Sequence, residues 1–171
     1  HLVIRRQRQM CIRDSLTSFA LAKALVKKEI FVDLFYEKKN TKIDTTRTIG
    51  ISKSNIDFFN REITNIKKML WPIKKIKIFT ENSNDKEILK FEDQKDNLFS
   101  ILQNQKIFNQ LIIELKKSKF FKFKKYVKYR KSDNLSYDLI INCDIRHEIT
   151  KKYFSKKFEK KYNSIAFTTI I

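Results

Sequence analysis

The sequence predicts an α/β fold built on a parallel sheet, and three stretches predict it. Residues 16–37, LTSFALAKALVKKEIFVDLFYE, read as a helix feeding an apolar strand that closes on a carboxylate. Residues 137–144, YDLIINCD, read as a second apolar strand with the same kind of ending. Between them, residues 104–117 repeat apolar side chains at helical spacing. Helical segments alternating with short, nearly continuous apolar strands are the mark of parallel strands covered on both faces.

Composition sets the outer limits. A chain of 171 residues has room for one domain with a real core, and 42% hydrophobic content excludes wholesale disorder. No apolar run reaches the roughly 18 residues that span a bilayer. No signal peptide is visible, and two cysteines make no disulfide framework, which suits a reducing cytoplasm. The net charge of +19 invites a nucleic-acid reading. However, Lys, Ile, Asn and Phe are abundant together, and all have A/T-rich codons, so mutational bias accounts for lysine without selection for a polyanion. The single glycine, Gly50, fits the same bias, against an average usage of roughly 7%.

Residues 1–15, HLVIRRQRQMCIRDS, stand apart. Four of the chain's eight arginines (Arg5, Arg6, Arg8 and Arg13) lie here, whereas lysine is the basic residue elsewhere. The segment resembles translated adapter sequence at the ends of assembled fragments. It is set aside from fold reasoning as a non-native leader.

In residues 16–37 the helix has Leu16, Phe19, Ala20, Leu25 and Val26 for an apolar face, and its alanines keep it slim enough to pack close to a sheet. Glu37 follows the strand. In dinucleotide-binding βαβ units an acid about 20 residues past the glycine turn holds a ribose, but nothing before Leu16 resembles GxGxxG. Residues 40–52 are polar and include Arg47, Thr48 and Gly50. Ser52 or Ser54 is placed to cap a helix with Ile56 and Phe59 inward. Residues 73–79 and 87–91 alternate loosely around the turn cluster ENSND, as a pair of strands would. Trp71 reads as a packing residue.

Asn104 is a good N-cap for the helix that follows, and Ile107, Phe108, Leu111, Ile112 and Leu115 form its apolar face. Residues 120–131, FFKFKKYVKYRK, interleave rings with cations. They suit either a single-stranded nucleic acid or a hairpin with its apolar residues inward, and the hairpin is favoured. Asp144 emerges at the end of the last apolar strand, where open α/β sheets bind ligands. Cys143, Asp144 and His147 are a weak metal cluster, with no second pair to complete it. Residues 151–162 read as a solvated basic segment and 164–171 as a strand.

Four landmarks now occur in a family's order. Thr46-Arg47-Thr48-Ile49 with Ser52, Trp71-Pro72-Ile73-Lys74-Lys75-Ile76, Leu102-Gln103-Asn104-Gln105 with Leu111, and residues 137–144 together resemble ubiquinone-biosynthesis flavin hydroxylases. These are aromatic-hydroxylase flavoproteins similar in fold to para-hydroxybenzoate hydroxylase. The resemblance implies an incomplete FAD-binding Rossmann-like domain over residues 16–171, with 73–91 and 164–171 as strands of an antiparallel, substrate-side sheet.

The resemblance further implies an FAD-dependent monooxygenase that hydroxylates the aromatic ring of a ubiquinone precursor with NAD(P)H and O₂, although this chain alone is not expected to turn over. Glu37 would hold the adenosine ribose, Arg47 and Gln105 would lie near the flavin or its phosphates, and Asp144 would stand at the inter-domain corner. No catalytic side chain and no metal ligand is implied. The sequence departs from the family where Gln105 stands for an arginine and Ile145 for a glycine. The expected partner is a lipidic aromatic substrate, with cytoplasmic placement compatible with peripheral contact with the inner membrane or a biosynthetic complex. The alternative is a small basic nucleic-acid binder using residues 120–131.

Overall fold

The computed structural model describes residues 8–12 (backbone only), 15–36, 47–80, 87–93, 97–125, 137–144, 147–154 and 160. In chain order the elements are β1 (Arg8–Ile12), α1 (Leu16–Lys27), β2 (Phe31–Tyr36), β3 (Thr48–Ile51) and α2 (Lys53–Phe58). A π turn (Phe59–Ile63) and a 3₁₀ turn (Lys67–Met69) lead to β4 (Trp71–Ile73), β5 (Lys75–Phe79), β6 (Glu87–Glu92) and β7 (Phe99–Gln103). Then come α3 (Asn104–Lys116), β8 (Phe121–Lys125), β9 (Leu139–Asn142) and α4 (Glu148–Tyr153).

Four strands form a parallel sheet in the order β8-β2-β1-β9. The α/β expectation therefore holds, but the sheet's inner strand β1 is supplied by residues set aside as a leader. Arg8 pairs with Phe31 and Gln9 with Leu139, so β1 joins β2 to β9. The strands ending before Glu37 and Asp144 run the same way but are not neighbours. One strand separates them, about 10 Å between their axes at the usual interstrand spacing.

The core forms where α1 and α3 cover one face of this sheet. Val32 and Leu34 of β2 alternate inward, and with Phe19, Ala22, Leu111 and Leu115 they are almost fully buried. Phe19 meets the rings of Phe108 and Phe123 edge-on, at 4.8 and 5.9 Å between centroids. Lys23 of α1 and Glu114 of α3 are 2.9 Å apart, and Thr64 and Gln110 donate to the same carboxylate at 2.6 and 3.0 Å. The two helices are thus tied to the loop that follows the π turn.

A second, antiparallel sheet has the order β3-β7-β4, and β5-β6 is a separate two-stranded hairpin. The antiparallel pairing of residues 75–92 is as expected, but its burial is not. Ile78, Leu89 and Phe91 remain 41–51% exposed, because a two-stranded ribbon has no layer of its own to bury them. Trp71, expected to pack, is 45% exposed, with the Lys106 ammonium 5.7 Å from its ring.

Three local readings need correction. Phe121–Lys125 pairs in parallel with β2, which the hairpin reading of residues 120–131 did not foresee, and residues 126–131 of that stretch lie outside the described residues. The cap of α3 is Gln103, with Asn104 as the first helical residue. The basic stretch from residue 151 begins inside α4. Ser52 does cap α2, accepting from Asn55 N at 3.4 Å. Residues 164–171 lie outside the described residues. Among the described residues, no helix is long and apolar enough to cross a membrane.

Candidate functional site

The site grows from the junction of β3, β7 and α3. The β3–β7 register pairs Thr48 with Gln103. This brings the residue before β3 against the first residue of α3, and Asn104 N donates to the Arg47 carbonyl at 2.9 Å. Arg47 is thus bonded through its backbone to the residue before Gln105, 57 positions away in sequence. Arg47 is exposed and Gln105 half-buried. Asn104 Oδ1 is buried at this corner, with no hydrogen-bond partner among the described residues.

Beside this corner lies an open, mostly apolar cavity of about 380 Å³. Ile49 and Gly50 of β3, Leu102 of β7 and Ile107 of α3 form its floor. Leu16, at the start of α1, Ile51 of β3, and Asn55, Phe58 and Phe59 complete the lining. The volume is at the small end of ligand pockets, which run from about 300 to 1,000 Å³. The sequence reading missed Asn55, Phe58 and Phe59. A helix turning into a π turn, a frequent feature of functional sites, has no signature in composition.

Asp144 sits just past β9 in a tight polar knot. Its N–H donates to Asn142 Oδ1 at 3.0 Å, and its carbonyl accepts from Thr150 Oγ1 at 2.7 Å and His147 N at 3.1 Å. His147, 7% exposed, caps α4 by accepting from Ile149 N at Nδ1, so any ring proton of the neutral imidazole is on Nε2. Asp144 is thus fixed by its backbone at the carboxyl edge of the parallel sheet, on a different strand system from the Arg47 corner. Glu37 lies outside the described residues. Burial pushes the Cys143 thiol up from its ordinary value. Among the described residues, no three His, Cys, Asp or Glu side chains gather as metal ligands.

On the sheet face away from α1 and α3, Asp33, Lys124 and Tyr137 form a closed triangle. Lys124 Nζ is 2.7 Å from Asp33 Oδ2, the Tyr137 hydroxyl donates to that oxygen at 2.8 Å, and Lys124 Nζ donates to the hydroxyl at 3.1 Å. Hydrogen bonding to Asp33 raises the Lys124 ammonium, and burial, then Asp33, raises the Tyr137 phenol. Both groups are held in their ordinary protonation states, so the triangle is a clamp rather than an acid–base pair. The rings of Phe121 and Phe123 turn to the other face, against one another at 4.8 Å and toward the core. They are not presented for stacking on bases.

No protein-family profile and no curated protein matches the chain. Solved structures do match in fold. PqsL of Pseudomonas aeruginosa, described as a probable FAD-dependent monooxygenase, is 7% identical with a TM-score of 0.65, over 91% of this chain and 48% of that one. A putative FAD-containing monooxygenase of Photorhabdus luminescens is 13% identical, with a TM-score of 0.65 over 87% and 42%. HpxO of Klebsiella pneumoniae, solved with FAD and uric acid, is 11% identical, with a TM-score of 0.54 over 68% and 30%. The chain therefore has the fold of part of an FAD-binding monooxygenase domain and spans less than half the length of these neighbours.

That fold implies FAD, and the entrance to α1 does not fit its diphosphate. A dinucleotide site needs glycines, so that the backbone can approach the diphosphate, and free N–H groups at the helix start. Here Ser15 and Ser18 close the helix on themselves. Ser15 N donates to Ser18 Oγ at 2.9 Å and Ser18 N to Ser15 Oγ at 3.3 Å, a reciprocal capping box. The chain's one glycine is at position 50, far along the sequence.

Proposed function

We propose that the chain is part of an FAD-dependent monooxygenase that hydroxylates the aromatic ring of a ubiquinone precursor, using NAD(P)H and O₂. The observation that carries this reading is the Arg47–Asn104 hydrogen bond. It unites two of the four family landmarks at one corner of a fold shared with FAD-containing monooxygenases. On this reading Arg47 and Gln105 face the flavin or its phosphates, Asp144 marks the inter-domain corner and Glu37 holds the ribose. Residues 73–91 and 164–171 belong to the substrate-side sheet. The chain alone is not expected to turn over, because serines rather than glycines stand where α1 begins.

The nucleic-acid alternative is weaker. Lys124 is paired with Asp33, and Phe121 and Phe123, the aromatic residues of its strand, pack against the core. The test is an air-saturated mixture of enzyme, FAD, NAD(P)H and a prenylated phenol, read by mass spectrometry for addition of one oxygen atom. The intact reading frame, with any glycine-rich turn upstream, is expected to give the hydroxylated product, and this chain is not. No product from the intact frame, on any prenylated phenol, overturns the reading.

A further inference from the structure

The two most exposed large apolar side chains among the described residues are neighbours, at the end of α4. Tyr153 is 61% and Phe154 74% exposed. Lys151 and Lys152, directly before them, are exposed as well, and the Lys152 ammonium lies 5.2 Å from the centre of the Tyr153 ring. We infer that this turn is a membrane-contact surface. It lays Tyr153 and Phe154 into the headgroup region of a bilayer that carries anionic lipid, while Lys151 and Lys152 meet the lipid phosphates. The inference stands on this surface alone and not on the hydroxylase reading.

Three observations carry it. First, α4 is held so that its last turn projects. His147, 7% exposed, caps the helix by accepting from Ile149 N. Thr150 Oγ1 donates to the Asp144 carbonyl at 2.7 Å and accepts from Asn142 Nδ2 at 2.5 Å. The start of the helix is thereby tied to the end of β9, and residues 151–154 are left in water. Second, the side chains match the two layers of an anionic bilayer surface. Aromatic rings, tyrosine above all, settle at the headgroup level, and lysines are drawn to negative lipid. In sequence, four more lysines follow by residue 161, and Glu159 is the only acid after Glu148. Codon bias sets how many lysines and phenylalanines there are, not which of them stay exposed together. Third, the shape suits a flat partner better than a strand of nucleic acid. A flat surface takes both rings at once from a protruding turn, whereas a nucleic-acid strand is held in a groove that tracks its backbone. Arginine, which forks onto phosphates, is absent after Arg146.

The experiment sediments the purified chain with vesicles of phosphatidylcholine alone or with roughly 30% phosphatidylserine, in low and high salt. Binding is expected on the anionic vesicles, at least about tenfold weaker on the neutral ones, and weakened by salt. Two double variants divide the surface. Tyr153→Ser with Phe154→Ser removes the rings and keeps the charge, and Lys151→Gln with Lys152→Gln does the reverse. Each is expected to weaken anionic-vesicle binding about tenfold with the thermal midpoint unchanged, as for other exposed positions. The control, Lys67→Gln with Lys68→Gln, removes the same charge from exposed positions elsewhere and is expected to bind like wild type within about twofold. Equal binding to neutral vesicles, or none to either, overturns the inference. So does unchanged binding by the ring variant, or a control that loses as much as Lys151→Gln with Lys152→Gln, which would assign binding to overall charge. Tighter binding to an oligodeoxythymidine, abolished by the same two variants, overturns it in favour of nucleic acid.

Discussion

Tyr137 reaches Asp33 across an intervening strand. The phenol donates to Asp33 Oδ2 at 2.8 Å, although β1 separates β2 from β9 in the sheet. Lys124 of β8 closes the triangle from the other side. The segments of β2 and β8 and the approach to β9 are thus pinned together on the face opposite α1 and α3.

Tyr137→Phe removes the donor but keeps the ring contact with Phe35, at 6.1 Å between centroids. A hydrogen bond to a carboxylate contributes about 1.5 kcal/mol at the low end of its range, appropriate for a partly exposed group. The variant should be destabilised by about that much in urea denaturation at pH 7. The pH dependence has a definite sign. The Lys124 ammonium is raised, so its contribution is complete below the unfolded lysine value near 10.4 and is lost as pH rises through the folded value. The Tyr137 phenol is raised too, so ionisation above the ordinary value near 10 also disfavours the fold. Above about pH 10, wild type should therefore lose stability faster than Tyr137→Phe, and parallel losses would contradict the clamp.

Glu29 is the one described non-glycine residue with positive φ, at 59°. It ends α1 in a Schellman arrangement, with Ile30 N donating to Leu25 O at 3.2 Å and Glu29 N to Val26 O at 3.0 Å. Glycine is the usual occupant, because a Cβ is strained there. Glu29→Gly should raise stability by about 0.5–1 kcal/mol, read as a higher urea midpoint at unchanged slope. A loss of stability would show that Glu29 makes a compensating contact.

What was legible in the sequence follows from which forces are local. The nearly continuous apolar run around Val32 and Leu34 and the helical spacing of Ile107, Leu111 and Leu115 report burial directly, and the structure buries all five. The bond between Arg47 and the start of α3 was not legible, since no local pattern joins residues 57 apart. β1 was missed because its arginine-rich composition pointed away from a core, yet a parallel inner strand is held by backbone pairing on both sides. The parallel pairing of Phe121–Lys125 with β2 was not legible, because the period-2 pattern is the same for parallel and antiparallel strands. The Ser15–Ser18 box, on which the cofactor question turns, spans the boundary drawn between leader and fold.

Glu114 links α3 to α1 and to the loop at Thr64. Burial pushes its carboxyl up, but donors from Thr64, Lys23 and Gln110 outweigh burial and hold it below the ordinary value. A lowered carboxyl contributes stability above its unfolded value, near 4.3, and loses it as pH falls through the folded value. The group is partly solvated and screened, so Glu114→Gln should cost no more than about 1 kcal/mol at pH 7. The gap between variant and wild type should close below about pH 4, as measured by urea midpoints across pH 3–7. A gap that persists there would assign the loss to packing rather than charge.

The β5–β6 hairpin offers the sharpest test of the surface. Cross-strand pairing puts Ile76 opposite Phe91 and Ile78 opposite Leu89, so all four share one face. Ile78, Leu89 and Phe91 are 41–51% exposed. The opposite face holds the Lys77–Glu87 pair at 2.6 Å and the Lys90–Glu92 pair. Such a face attracts dye and other chains, because apolar area left in water is costly at about 25 cal/mol per Å². Replacing Leu89 and Phe91 by Thr keeps strand propensity and removes that area. The double variant should bind anilinonaphthalene sulfonate severalfold more weakly and scatter less light at high concentration. Its urea midpoint should shift by no more than about 0.5 kcal/mol per site, as for other exposed positions. A larger loss of stability would mean that another part of the chain already covers this face in solution.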